Sequence, residues 1–131
     1  EAVIERPEQN AFNAALEAFK VADMPRAIKL FTQFITQYPQ SALLAQASYW
    51  LGTAQYSNKE FKAALNTLTK FTSAYPDNSR IPDALLTIAN AQLAVGDKRA
   101  ANLTLARLSK QYPQSRAAQL AAERLPAGSS R

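Results

Sequence analysis

The chain has 131 residues, with 15 Lys and Arg against 10 Asp and Glu, and it contains neither cysteine nor histidine. That composition excludes disulfides, thiolate nucleophiles, the usual zinc sites and an imidazole base working near neutral pH. The modest positive charge favours an acidic partner but is far from a nucleic-acid-binding tail, and no apolar run approaches the ~20 residues a membrane span needs.

The chain begins at Glu1 without a visible signal peptide, so a processed product or an excised fragment is expected. Residues 1–7 read as the end of a linker. Alanine is abundant and only 3 glycines occur, which favours helix. Apolar residues recur at steps of three to five, most clearly Tyr49, Gly52 and Tyr56, then Phe61, Leu65, Leu68 and Phe71. In chain order, helices are expected over 8–22, 24–37, 42–57, 60–74, 80–95, 98–111 and 115–125, with a loose tail over 126–131.

The breaks between these helices are of two alternating kinds. Asp23-Met24-Pro25, Asn58-Lys59-Glu60 and Gly96-Asp97 are short turns with a capping carboxylate. Gln37-Tyr38-Pro39-Gln40-Ser41 returns unchanged as Gln111-Tyr112-Pro113-Gln114-Ser115, with Tyr75-Pro76-Asp77-Asn78-Ser79 midway. A residue before proline is pushed out of the helical region, so each tyrosine ends a helix. The serine that follows is expected to cap the next one.

Tyr38, Tyr75 and Tyr112 are spaced 37 residues apart, and the same shift superposes Ala15, Gly52 and Ala89, and Ala27, Ala64 and Ala101. Such a period means stacked copies of one unit: helix A, tight turn, helix B, Tyr-Pro turn. Small residues let the two helices of a unit approach closely. The expected architecture is an all-α, right-handed α-solenoid of three helix pairs, over about 8–41, 42–79 and 80–115, closed by a capping helix at 115–125.

A small residue in helix A, an alanine early in helix B and a closing proline resemble the tetratricopeptide repeat. In the second unit the match runs through Leu51-Gly52, Tyr56, Phe61, Ala64, Leu68 and Pro76. The units depart from the family in carrying three extra residues each, and in Met24 and Lys98 standing where the second unit has Phe61.

The Tyr-Pro-x-Ser closures, Ser48-Tyr49-Trp50-Leu51-Gly52 and the final Ala121 to Leu125 also resemble the C-terminal domain of the Tol-Pal accessory proteins, the YbgF (CpoB) family. That resemblance implies a periplasmic protein of Gram-negative bacteria that binds TolA and coordinates peptidoglycan synthesis with outer-membrane constriction during division. It also implies contact with the peptidoglycan synthesis machinery and a homotrimer formed through an upstream coiled coil. The lipoprotein of the outer-membrane β-barrel assembly machine shares such repeats, but that family carries more of them and an acylated N-terminal cysteine.

In tetratricopeptide repeats the inner faces of the A helices form the peptide groove. Carried onto this chain, the groove takes Phe12, Asn13, Leu16 and Phe19 from the first unit. It takes Gln46, Tyr49, Trp50, Thr53 and Tyr56 from the second, and Asp83, Leu86 and Asn90 from the third. Aromatics give contact area and amides give orientation, which suits an extended or helical peptide. Trp50→Ala and Tyr49→Ala are expected to weaken binding while leaving the fold nearly intact. Phe12, Tyr49 and Leu86 stand where chaperone-binding repeats hold the first lysine of a carboxylate clamp, so an acidic C-terminus is not the expected ligand.

No Gly-rich phosphate loop, nucleophile elbow or zinc-ligand set is present, and no cofactor is expected. The basic residues of the B helices are spread without interleaved aromatics, so a solvated face is expected rather than a nucleic-acid stripe. The expected function is protein–protein interaction without catalysis. The rival readings are an architectural or self-associating scaffold, or an adaptor of another envelope assembly such as outer-membrane protein assembly.

Overall fold

A computed structural model describes residues 7–124 of the chain. Residues 1–6 of the expected 1–7 linker, Leu125 and the tail over 126–131 lie outside the described residues, whereas Pro7 already opens the first helix. Among the described residues seven helices follow one another: α1 (Pro7–Lys20), α2 (Met24–Gln37), α3 (Leu44–Ser57), α4 (Phe61–Ala74), α5 (Ile81–Ala94), α6 (Lys98–Gln111) and α7 (Arg116–Arg124). No strand occurs among the described residues. Each helix pairs with the next, giving a solenoid of helix pairs. The A helices also meet one another, α1 on α3, α3 on α5 and α5 on α7, whereas α2, α4 and α6 make no mutual contact. The A helices therefore line the inner side of the stack and the B helices its outer side.

The A–B turns repeat in backbone detail. Ala22 and Lys59 both have φ 64° and Gly96 has φ 86°, at matched places in the three units. In each, the next residue's N–H donates back to the helix, Asp23 to Ala18 O, Glu60 to Gln55 O and Asp97 to Gln92 O, at 2.8–2.9 Å. This is a Schellman closure, which needs one left-handed residue. Only the third unit supplies glycine there. Asp23 and Asp97 then accept from the N–H groups of Arg26 and Ala100 and cap α2 and α6. Glu60 makes no such bond to α4 and takes the amide of Asn58 instead.

Each Tyr-Pro tyrosine ends its B helix as expected. The N–H groups of Tyr38, Tyr75 and Tyr112 donate to Phe34 O, Phe71 O and Leu108 O at 2.9 Å. The serine caps fare differently. Ser115 caps α7, its Oγ accepting from Ala118 N at 3.0 Å. Ser41 instead accepts from Leu43 N and donates to the Glu8 carboxylate at the start of α1. Ser79 caps nothing among the described residues; Asn78 occupies the matched place, and its Oδ1 accepts from Arg80 N at 2.8 Å. A further turn after Ser41 and Asn78 delays α3 and α5 until Leu44 and Ile81, so their N-termini lack a side-chain cap.

Two apolar clusters fill the stack. Phe12, Phe31, Phe34, Ala47 and Leu51 anchor the first. Leu68, Phe71, Leu85, Leu105 and Leu108 anchor the second, which α7 covers with Ala117, Ala118 and Ala121. Gly52 sets the closest approach of α3 to α4: a methyl group placed on it would stand 2.4 Å from Leu68 Cδ2. A side-chain bond between helices also recurs, from Thr67 to Gln55 at 2.6 Å and from Thr104 to Gln92 at 2.7 Å. The first unit replaces that polar pair with Ala18 and Leu30.

Candidate functional site

The inner face is built by α1, α3 and α5, and its middle is aromatic. Trp50, half-buried on α3, packs edge-on against Phe19 of α1, with ring centroids 5.0 Å apart. Tyr49 meets Trp50 at 5.3 Å and Phe71 of α4 at 5.7 Å. Trp50 thus packs against both apolar clusters and spans the seam between units.

The guanidinium of Arg80, just before α5, lies 5.2 Å from the centroids of both the Tyr49 and Trp50 rings. Cation–π attraction at such a site contributes about 0.5–1 kcal/mol. Asp83, one turn on, pairs with Arg80 at 3.8 Å, and both side chains are about half exposed at 48%. Arg80, Gln46, Asn78, Ser79 and the two rings enclose a notch of about 210 Å³. Burial, and after it the Asp83 carboxylate, pushes the Tyr49 phenol above the ordinary tyrosine value of 10.0. The phenol stays neutral, so the positive charge in the notch is that of Arg80.

The remaining groove candidates divide by burial. Leu16, Phe19, Thr53, Leu86 and Asn90 are half-buried, while Asn13 and Gln46 are exposed. The Asn90 Oδ1 is buried and is the one such side-chain atom without a hydrogen-bond partner among the described residues. Tyr56 lies at the end of α3 and packs on Phe61 at 5.5 Å, so it closes the A–B turn. Phe12 is 5% exposed and sits edge-on to both Phe31 and Phe34 at 5.8 Å. It belongs to the first core. Tyr49 is 7% exposed and belongs mainly to the second. Tyr49→Ala would therefore damage the fold, and so would Trp50→Ala, whose ring packs on both clusters, contrary to the expectation that either leaves the fold nearly intact.

Arg80 is the residue that sequence reasoning missed. Its matched positions hold Leu43 and Ala117, so a charge at an apolar place in the repeat was the available signal. A second concavity of about 320 Å³ lies on the outer side between α2 and α4, floored by Ile35, Leu51, Phe71 and Tyr75 with Lys70 at its edge. It is larger and mostly apolar, with Ser48, Asn66 and Thr67 also in its lining, and none of the residues expected for the groove borders it.

The YfiO family model, described as an outer membrane lipoprotein, matches residues 4–125. The chain belongs to the YfiO family. Among solved structures, the TPR2B domain of yeast Sti1, determined in a complex with pHsp70, is similar with a TM-score of 0.70. The likeness covers 88% of this chain and 90% of that one at 21% identity, and it establishes the tetratricopeptide type of fold. No curated protein gives a significant match. Neither finding names the YbgF family. No helix among the described residues is long and apolar enough to cross a membrane.

Proposed function

We propose that the chain is a non-catalytic interaction module of the Gram-negative periplasm that docks a segment of an envelope protein along the inner face of α1, α3 and α5. The observation carrying this reading is Trp50, held half-open across the seam between Phe19 and Arg80. A rigid aromatic beside a guanidinium, with Gln46, Asn78 and Ser79 lining the same notch, has the make-up of an interface anchor with an adaptable polar surround. Leu16, Phe19 and Leu86 extend the apolar part of the face.

The resemblance to the YbgF family supports TolA as the partner, with a role in coordinating outer-membrane constriction with peptidoglycan synthesis. In that setting an upstream trimerising coiled coil would raise a modest affinity by avidity. Membership of the outer membrane lipoprotein family supports a second reading, an adaptor in outer-membrane protein assembly.

Calorimetric titration of the chain with the soluble periplasmic part of TolA decides between the two. Saturable binding, weakened about tenfold by Arg80→Gln, is the expected result and keeps both partner and site. Binding untouched by Arg80→Gln removes the inner face as the site. No binding at high concentration removes TolA and leaves the assembly reading. Strong self-association in analytical ultracentrifugation, weakened by the same substitution, would instead point to a self-assembling scaffold.

A further inference from the structure

The outer side of the stack carries a charge pattern that the docking groove does not use. Helices α2, α4 and α6 together hold eight Lys and Arg and no Asp or Glu. The inner helices α1, α3, α5 and α7 hold four acidic and three basic residues, a near balance. The charge excess of the described helices is therefore segregated to the outside by the alternation of A and B helices. All eight outer cations are exposed, and none is in an ion pair among the described residues.

Part of this charge is in register. Lys62 of α4 and Arg99 of α6 hold matched positions, and so do Lys70 and Arg107. The 37-residue period thus sets two rows of cations across the last two outer helices. Along α6, Arg99, Leu103 and Arg107 succeed one another at four-residue steps and share one face. Leu103 is 67% exposed, the most open large apolar side chain described. At a lipid–water boundary the cations of such a face would meet phosphates while the open leucine between them enters the acyl region.

We infer that the outer face of α4 and α6 docks on an anionic lipid bilayer surface, through Lys62, Lys70, Arg99 and Arg107 with Leu103 as the apolar contact. A nucleic acid is disfavoured, because the rows carry no interleaved aromatic platform for bases. Membership of an outer membrane lipoprotein family places a membrane within the ordinary reach of such a chain. With this face on the bilayer, the inner face and its Arg80 notch turn away from the lipid and stay open to a protein segment. The inference is independent of which partner the groove takes.

Vesicle co-sedimentation tests it, with phosphatidylcholine vesicles against vesicles containing phosphatidylglycerol, at low and at physiological salt. The chain is expected to bind only the anionic vesicles and to release as salt rises. Each basic residue at such a surface is worth about fivefold in affinity, so Lys62→Gln, Lys70→Gln, Arg99→Gln and Arg107→Gln together should weaken binding by on the order of several hundredfold. Glutamine keeps helix propensity, and an unchanged circular dichroism spectrum checks the fold. Leu103→Ser alone should weaken anionic-vesicle binding a few fold without changing its salt dependence. No binding to anionic vesicles at low salt overturns the inference. So does equal binding to neutral vesicles, or anionic binding that the quadruple variant retains. Preference for an acidic polypeptide such as polyglutamate, with vesicles ignored, overturns it in favour of a protein partner on the same face.

Discussion

Replacing Gly52 by alanine sets two opposed effects against each other at one position. In an exposed helix interior, Ala is more favourable than Gly by about 1 kcal/mol. At Gly52 the added methyl would stand 2.4 Å from Leu68 Cδ2 and 2.5 Å from Leu68 Cγ. Ordinary carbon–carbon contact begins near 3.5 Å, so the pair must separate by about 1 Å. Leu68 is 0% exposed and cannot swing into solvent. Forcing a methyl into such packing costs about 1–3 kcal/mol, so the net expectation is a loss of about 1 kcal/mol. For a chain of this length that lowers Tm by about 4 °C. The matched position in the third unit already holds alanine, Ala89, which is fully buried. There the reverse change, Ala89→Gly, loses both propensity and packing, so it too should lower Tm. Thermal unfolding by circular dichroism reads both. Propensity alone predicts opposite signs for the two variants; a higher Tm for Gly52→Ala would refute the close-packing account. If Leu68 is the obstacle, Gly52→Ala should cost less in a Leu68→Val background, by at least about 0.5 kcal/mol of coupling.

Other expectations follow from the turns and the inner face. Lys59→Gly and Ala22→Gly relieve a left-handed residue and should each stabilise by up to about 1 kcal/mol, whereas Gly96→Ala should destabilise by about as much, measured by urea unfolding. Trp50→Ala should lower stability by about 2 kcal/mol, because the ring packs on both cores, and should weaken partner binding more than Arg80→Gln does; calorimetry below the variant's Tm separates the two losses. The raised Tyr49 pKa means that the folded state holds its proton to higher pH than the unfolded state does. Its stability contribution is full below pH 10.0 and is lost as pH rises through the folded value, so Tyr49→Phe should flatten the alkaline fall in urea midpoint above about pH 10. An unchanged alkaline slope in that variant would show that Tyr49 does not titrate late.

The seven helices, their alternation of turns and their 37-residue period were legible in the sequence, because proline, glycine and capping residues act on the backbone within a few positions of themselves. The inner placement of the A helices was legible too, through the repeat. What tertiary structure decided was which side of each A helix is groove and which is core. Phe12 and Tyr49 sit one residue before Asn13 and Trp50, and a single step is about 100° around the helix, enough to move a ring from an open face into a sealed one. Periodicity identifies the stripe, but the depth of its edges depends on how closely the neighbouring helices approach. Asn78 taking the place expected for Ser79 reflects the same limit on a smaller scale: the matched place is set by distance from Tyr75, and either side chain satisfies the turn. Arg80 over the two rings joins residues about 30 apart in the chain, so no local rule brings them together. That meeting arises from the stacking of whole units, whose small residues let the helices close and carry the start of α5 across Tyr49 and Trp50.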